Sequence, residues 1–300
     1  MYELAIIIVT YNSDSEIRKC LKSIIEKTHN ATYEIIVIDN NSADMTVQII
    51  KSEFPKVKLI INKNNIGFGA ANNQGLRESK SKYAFILNPD TELKNNAIDV
   101  LYNFMETCRN DKVWCAGAKL FDKNDVPEIL ENRPRSLRLA LLEQSFLDRI
   151  FKNTWRKLFY IKHNPQLTVP IKVRFVCGCD MFVKREFFEK LGYFNEKYFL
   201  YFEEEDISFR AQRLSFISFI IPQAEIFHIQ GQSTRKNLEY VIEFRKSEME
   251  VLGMWYKPYT YYAIKWINIL GTAIRAVITL KKEFYGLVIF YLHHKREKLT

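Results

Sequence analysis

Two acidic clusters hold the side chains of this sequence that are best suited to chemistry. The first is Asn88-Pro89-Asp90, which follows the apolar run Tyr83–Leu87, and the second is Glu203-Glu204-Glu205-Asp206, which follows the aromatic run Tyr198–Phe202. A carboxylate at a strand end is a hard oxygen ligand that could hold Mg²⁺ or Mn²⁺ against a diphosphate. An ordinary turn is the alternative for the first cluster, because Asn, Pro and Asp all form turns.

The four successive carboxylates at 203–206 repel one another, and the aromatic residues before them would bury some of their surface. We expect at least one pKa in this cluster to be raised, which suits a general base acting on a sugar hydroxyl. The alternative is an acidic helix N-terminus, which the helix dipole favours. Both interpretations can hold together, because only one side chain has to face a site.

Two further polar residues follow predicted strands. Asp39 could accept hydrogen bonds from a nucleobase or ribose, or it could form an Asx-turn. His228 could be a metal ligand or a phosphate contact, although a lone histidine is often structural. The stretch Gly67–Asn72 superficially matches a dinucleotide-binding fingerprint, but it does not come directly off the first strand. Asn72 also replaces the third small residue, which argues against a Rossmann dehydrogenase.

The elements that must position these residues alternate between strand and helix over the first 120 residues. The predicted strands are Leu4–Val9, Tyr33–Ile38, Val57–Ile61 and Tyr83–Leu87, and the predicted helices are Ser15–Lys27, Thr46–Phe54 and Gly69–Ser79. This alternation indicates a parallel, doubly wound sheet, in which ligands bind beyond the carboxyl ends of the strands. Asp39 and Asp90 both lie at such ends.

Strands and helices return over residues 173–228, and the chain becomes mostly helical from about Tyr240. The predicted elements are strands at Val173–Val176, Met181–Val183, Ile217–Ile221 and Ile226–Ile229, with helices at Arg185–Leu191 and Asp206–Leu214. We expect Pro222 to end the third of these strands, because proline cannot donate to a ladder.

The net charge of +9 comes from two basic segments, because residues 133–163 and 254–300 each carry eight basic and two acidic residues. Basic segments with interleaved aromatics bind nucleic acid or anionic membrane. No nucleic-acid motif appears, and no uncharged apolar run reaches the ~18 residues of a transmembrane helix. Residues 254–300 therefore suit an interfacial helix in the headgroup region, or a helix packed on the core or on a second subunit. Five scattered cysteines and an N-terminus unlike a signal peptide favour a reducing compartment.

Taken together, these motifs resemble the family 2 glycosyltransferases, and in particular their bacterial rhamnosyltransferase-like branch. The match consists of Ile8–Ser13, Ile36–Ser42, Asn64–Asn73, Leu87–Thr91, Gly192–Glu196, Tyr201–Asp206, and His228 to Gly231. The resemblance implies a GT-A fold, an α/β fold with a doubly wound, mostly parallel sheet flanked by helices. We expect residues 1–235 to form this domain, with a nucleotide-sugar half at 1–120 and an acceptor half at 121–235. Residues 236–300 should form a helical, basic and aromatic extension.

On the donor side, the resemblance assigns residues to the nucleotide sugar. Thr10, Tyr11 and Asn12 should line the nucleotide. Asp39 should bind the base or ribose, and Asn72 should lie near the donor.

The resemblance also assigns a metal site. Asn88-Pro89-Asp90 occupies the place of the family's DxD motif, with Asp90 on Mg²⁺ or Mn²⁺ and His228 as a further ligand. Asn88 replaces the first acid of that motif, so we assign it to the donor and not to the metal.

On the acceptor side, Glu204 falls where the family's catalytic aspartate is usual, and it would take the proton from the acceptor hydroxyl. Asp206 is the alternative base, and Arg210 one helical turn later could pair with it. Glu203 and Asp180 lie in the acceptor-side segments, although Asp180 could equally be a turn residue. Direct attack from the face opposite the nucleotide would invert the anomeric centre.

The resemblance suggests dTDP-rhamnose as the donor, with UDP- and GDP-sugars left open. It suggests a saccharide acceptor, lipid-linked at the inner face of a bacterial cell membrane, in cell-surface polysaccharide synthesis. We expect a cytoplasmic, peripheral protein that contacts anionic membrane and no nucleic acid, and a homodimer through the C-terminal helices remains open. The alternatives are a sugar-nucleotide nucleotidyltransferase, whose basic glycine-rich loop residues 6–16 lack, and a non-catalytic adaptor.

Overall fold

The computed structural model describes residues 2–127, 168–229 and 238–296, together with positions 137, 140 and 141. The chain divides into two compact units. The first comprises Met1–Asn132 and His163–Gly231, and the second comprises Arg133–Lys162 and Gln232–Thr300. The division of roles between 1–235 and 236–300 stays a prediction, and the basic segment 133–163 lies almost wholly outside the described residues.

The first unit is built on a mixed sheet. Its strands among the described residues are β1 (Leu4–Thr10), β2 (Tyr33–Asp39), β3 (Lys58–Ile61), β4 (Tyr83–Leu87), β5 (Thr91–Leu93), β6 (Val113–Phe121), β7 (Ile171–Val173), β8 (Asp180–Lys184) and β9 (Ile217–His228). Their order is β3-β2-β1-β4-β8-β6-β9-β5, with β7 also on β9. Strands β3, β2, β1 and β4 are parallel, as is the pair β6–β9, whereas β8 runs antiparallel to both of its neighbours.

Helices cover both faces of this sheet, as the alternation of elements predicts. They are α1 (Ile17–Lys27), α2 (Thr46–Glu53), α3 (Phe68–Glu78), α4 (Ala97–Thr107), α5 (Arg185–Leu191) and α6 (Glu203–Arg213). Successive residues of a strand point to opposite faces. Ile6 and Ile8 of β1 therefore pack in the core under α1, α2 and α4, while Ile7 and Val9 pack in the core under α3, α5 and α6. The predicted α/β class is confirmed.

Two element boundaries differ from our expectation and matter for the site. Strand β9 continues through Pro222, because its register against β6 jumps from Ala118↔Ile221 to Lys119↔Glu225 and the intervening residues bulge out. Asn95 holds this bulge by donating to the Gln223 carbonyl at 2.8 Å and accepting from the Glu225 amide at 3.1 Å. Helix α6 begins at Glu203 and not at Asp206, so the acidic cluster forms its first turn.

The second unit contains three described helices, α7 (Leu238–Trp255), α8 (Pro258–Thr279) and α9 (Lys282–His293). Apolar side chains such as Leu252, Ile264 and Leu287 form its core. His294 joins two of the helices, because its Nδ1 lies 2.9 Å from the Tyr261 hydroxyl and its Nε2 lies 3.1 Å from Oε1 of Glu250. Within the described part of the chain, no helix combines the length and apolar character that crossing a membrane requires.

Candidate active site

The loops after β1 and β2 are tied together by Asp39. Its carboxylate is fully buried and accepts hydrogen bonds from the Thr10 hydroxyl at 2.9 Å and from the Ser42 hydroxyl and amide at 2.5 and 2.9 Å. Such local bonding is the Asx-turn alternative that the sequence allowed. The structure therefore gives Asp39 a role in shaping the loops, and its contact with a base or ribose stays a prediction.

Asn12 and Tyr11 lie on the exposed side of these loops. Asn12 has a positive φ of 52°, and its backbone nitrogen donates to the Ser42 hydroxyl at 2.9 Å while its side-chain oxygen accepts from the backbone amide of Ala43 at 2.8 Å. Tyr11 is 43% exposed. Asn12 thus fixes the loop and leaves the Tyr11 ring accessible, which fits a surface that receives a nucleotide base by stacking.

Helix α3 begins where the chain makes a close approach that only glycine permits. Gly67 has a φ of 88°, and a Cβ atom there would lie 2.5 Å from the carbonyl oxygen of Phe199. The amide of Phe68 donates to that same carbonyl at 2.9 Å. The approach brings the start of α3 against the segment that leads into the acidic cluster of α6.

Two asparagines on α3 are fully buried. Asn72 donates to the Phe68 carbonyl at 3.0 Å, and its oxygen has no hydrogen-bond partner among the described residues. Asn73 exchanges hydrogen bonds of 2.9 and 3.0 Å with the Phe194 backbone and reaches Glu196 at 2.9 Å. The sequence analysis assigned no role to Asn73. Its helical spacing places a polar amide at a buried position, which could have indicated a structural hydrogen bond.

Asp90 and His228, predicted as metal ligands, are neighbours in the structure. Strand β5 starts directly after Asp90 and pairs Thr91 with His228 across the sheet. Nε2 of His228 lies 3.7 Å from Oδ1 of Asp90, and both side chains are mostly buried. Two residues earlier, the side-chain oxygen of Asn88 is buried and has no partner within the described part of the chain.

These groups fit a divalent cation whose remaining coordination positions are filled by the substrate. Mg²⁺ or Mn²⁺ commonly takes one or two protein oxygen ligands and fills its other positions with water and substrate phosphates. Asp90 would supply the carboxylate and His228 the imidazole, which suits Mn²⁺ better than Mg²⁺. Residues 2–127, 168–229 and 238–296 contain no group of three or more such ligands, so the metal role of both residues stays a prediction.

The acidic cluster enters α6 through a strained bend. Tyr201 and Phe202 both have positive φ values, 69° and 71°, in a region that costs non-glycine residues roughly 1–2 kcal/mol each. Strain of this kind tends to collect at functional sites. The bend leaves Glu203 almost completely buried, with its Cβ about 3.6 Å from the position of a Cβ on Gly69.

Burial raises the pKa of both glutamates at the start of α6. The pKa of Glu203 rises to about 8, and burial together with the charges of Glu203 and Cys177 raises the pKa of Glu204 well above its usual range. Glu204 is only partly buried as a whole, but its Oε2 atom is inaccessible and lacks a partner among the described residues, as does Oε2 of Glu203. The cluster therefore contains carboxyl groups with a raised pKa, as we predicted.

Asp206 differs from these glutamates, because Arg210 is bonded to it. Nε and a terminal nitrogen of Arg210 donate to Oδ2 of Asp206 at 3.0 and 2.7 Å, and Arg210 also donates to the Leu191 carbonyl. The predicted pairing of Asp206 with Arg210 is confirmed. Arg210 occupies Oδ2 of Asp206, whereas Oε2 of Glu204 has no partner among the described residues, so the geometry favours Glu204 as the base.

The segment 177–180 contacts both parts of the site. The Cys179 carbonyl accepts a hydrogen bond from the backbone amide of Asn88 at 3.1 Å, and a Cβ on Gly178 would lie 3.8 Å from the carboxyl carbon of Glu204. Asp180 is the first residue of β8, and its backbone amide also closes the preceding turn by donating to the Cys177 carbonyl at 3.2 Å, so the turn alternative stays open. Its fully buried carboxyl accepts the Ala118 amide at 2.6 Å, and burial raises its pKa well above the usual value. Its role toward an acceptor stays a prediction.

The fold is a mixed, mostly parallel α/β sheet flanked by helices, and comparison with known proteins identifies the family. Residues 5–192 match the model of glycosyl transferase family 2. The chain belongs to this family, and the predicted resemblance is confirmed.

Related proteins share a modest identity with the chain. It is 24% identical over 247 residues to the N-acetylglucosaminyl-diphospho-decaprenol L-rhamnosyltransferase of Mycobacterium tuberculosis, covering 78% of both chains. It is also 24% identical over 216 residues to the low-salt glycan biosynthesis hexosyltransferase Agl10 of Haloferax volcanii, covering 70% of this chain and 62% of that protein.

A solved structure shows the same fold. The crystal structure of GalNAc-T7 with UDP, GalNAc and Mn²⁺ superposes with a TM-score of 0.60 at 16% identity, over 98% of this chain and 56% of that one. The chain thus spans just over half of that protein. The likeness confirms the predicted GT-A fold.

Proposed function

We propose that this glycosyltransferase moves a sugar from a nucleotide diphospho-sugar to a hydroxyl of a saccharide acceptor with inversion of the anomeric centre. The observation that carries the proposal is the Glu204 carboxyl, whose pKa is raised by burial and whose Oε2 has no partner among the described residues. Segment 177–180 links it to the strand end that bears Asn88 and Asp90.

In this mechanism Glu204 takes the proton from the acceptor hydroxyl while the oxygen of that hydroxyl attacks the anomeric carbon of the donor sugar. The bond to the nucleotide diphosphate breaks on the opposite face, and a single displacement of this kind inverts the centre. Asp90 and His228 would hold the divalent cation, which supplies Lewis-acid stabilisation of the diphosphate when it is bound. Tyr11 and Asn12 would line the nucleotide from the exposed loops, and Asn72 would lie close to the donor.

For the donor, we propose dTDP-rhamnose first and UDP- or GDP-hexoses next. The relative from Mycobacterium tuberculosis is named as an L-rhamnosyltransferase, whereas the one from Haloferax volcanii is named as a hexosyltransferase. For the acceptor, we propose a lipid-linked saccharide of a cell-surface polysaccharide, since the former name specifies a decaprenol-linked acceptor. The enzyme would then work peripherally at the cytoplasmic face of the cell membrane.

A thermal-shift screen of nucleotide sugars with Mg²⁺ or Mn²⁺ tests this function. A donor present at 100 times its Kd stabilises the folded state by about 2.7 kcal/mol. For a unit of about 200 residues this raises the Tm by roughly 5–10 °C. We expect one nucleotide sugar to give such a shift only with the metal. A shift with nucleoside triphosphates and none with nucleotide sugars would favour the nucleotidyltransferase alternative.

A further inference from the structure

One face of α8 is apolar and open to solvent. Its residues follow one another at intervals of 3, 4, 4 and 7, which places them on one side of a helix. At least half of each side chain is exposed. We call this face the α8 stripe, and it consists of Tyr259, Tyr262, Trp266, Leu270 and Val277.

The opposite face of α8 is packed into the second unit, so the helix is fixed with its stripe outward. Tyr261 and Ile264 are fully buried there, and Ile269 is 9% exposed. The only charged residues within α8 are Lys265 and Arg275, and Lys265 donates to the His294 carbonyl at 2.9 Å. The 22 residues of α8 span about 33 Å, along which the stripe carries no charge.

Helix α9 adds to this surface, and exposed lysines stand at its ends. Tyr285, Ile289 and Leu292 of α9 are exposed apolar residues. Lys257 precedes α8 and lies 5.9 Å from the Tyr259 ring centroid, while Lys281 and Lys282 are exposed where α8 gives way to α9. Aromatic and basic residues around an uncharged face are typical of helices that lie in the headgroup region of a bilayer.

The charge of the segment decides between an anionic surface and a second copy of the chain. Residues 254–296 contain seven basic residues and a single acidic one, Glu283. Pairing two copies through the α8 stripe would bring two such sets of positive charge together, which is unfavourable at short range. An anionic lipid surface neutralises the same charges and accepts the apolar side chains.

We propose that the α8 stripe and the exposed apolar side chains of α9 dock on an anionic lipid bilayer, with both helices lying along its surface. This surface deepens the membrane location in the proposed function, and it does not depend on the transfer chemistry. A lipid-linked acceptor would be met at the surface to which the protein is already bound.

Vesicle binding by the full chain tests the proposal, with vesicles of 30% phosphatidylglycerol in phosphatidylcholine against pure phosphatidylcholine. We expect binding to the first and at least tenfold weaker binding to the second. Trp266 lies in the stripe, so its emission should shift to the blue and brominated lipids should quench it. The variant Trp266→Phe should lose most of this quenching. Quenching that persists in Trp266→Phe would overturn the proposed orientation.

The double variant Leu270→Glu/Val277→Glu places two charges in the stripe at side chains that are about two-thirds exposed, so the fold should persist. We expect vesicle binding to fall at least tenfold. The matched control is Ile25→Glu/Leu214→Glu, which makes the same change at exposed apolar residues of the first unit and should bind like wild type.

Neutralising lysines tests the electrostatic part separately. Replacing Lys281 and Lys282 by glutamine should weaken binding to anionic vesicles by about fivefold for each lysine. Unchanged binding of the stripe variant would overturn the proposal. A second result would also overturn it: the wild-type protein does not bind vesicles but sediments as a dimer, and the stripe variant sediments as a monomer. The α8 stripe would then bind a second copy of the chain. The donor-induced thermal shift is measured in every variant as well. A variant that keeps this shift still binds the donor, so a failure of membrane docking is distinguished from a failure of the proposed function.

Discussion

Replacing Asp206 by asparagine removes the carboxylate that Arg210 contacts through two nitrogens, at 2.7 and 3.0 Å. Asp206 is 1% exposed, and the Arg210 side chain is 23% exposed. Breaking a buried ion pair costs about 3–5 kcal/mol, and partial solvent access to Arg210 reduces this to about 2–4 kcal/mol. In a unit of about 200 residues, the Tm should fall by roughly 5–12 °C.

Calorimetric unfolding of Asp206→Asn at pH 8 measures this loss, and a transfer assay below the lowered Tm measures the catalytic effect. The matched control is Glu203→Gln, which removes a carboxylate from the same helical turn without breaking an ion pair and should not lower the Tm at that pH. Folded Asp206→Asn should retain most of its turnover. If this variant melts like wild type and has lost turnover with donor binding intact, Asp206 is the base and our reasoning about the ion pair is wrong.

Two further predictions concern the pH response and the metal. Burial raises the pKa of Glu203 from 4.5 to about 8, so the folded state holds more protons than the unfolded state in this window. The unfolding free energy should therefore fall between pH 4.5 and 8, by up to about 1.4 kcal/mol per pH unit, and Glu203→Gln should flatten this slope in denaturant titrations. An equal slope in the variant would assign the effect to another group. Asp90→Ala should abolish the Mn²⁺ dependence of donor binding in calorimetry, and an unchanged metal titration would remove Asp90 from the metal site.

The sequence was sufficient for the fold because its local patterns agree with the tertiary structure. The buried apolar runs of β1, β2 and β4 and the helices between them are within a residue or two of their predicted bounds. The left-handed Gly192 that ends α5 was also foreseeable, because glycine accepts its φ of 81°. Pro222 misled the prediction of β9, because a bulge held by Asn95 lets the strand continue beyond the proline.

The site was predictable in its residue types and less so in their partners. Asp90 and His228 are neighbours because both lie at strand ends. The spacing of four residues on a helix was enough to predict the pair of Asp206 and Arg210. The full burial of Asp39 and Asp180 could not be read from the sequence, because it depends on contacts with Ser42 and Ala118 that come from distant parts of the chain or from loop geometry.

Glu204 is the general base of the proposed sugar transfer, and the turnover of Glu204→Gln tests this role directly. Removing a general base should lower kcat by 10²–10⁴-fold, while the Kd for the donor from the thermal-shift screen should stay within about twofold. The matched control is Glu205→Gln, because Glu205 lies in the same helical turn and has no assigned role. This variant should keep its activity. Retention of wild-type kcat by Glu204→Gln would contradict the mechanism.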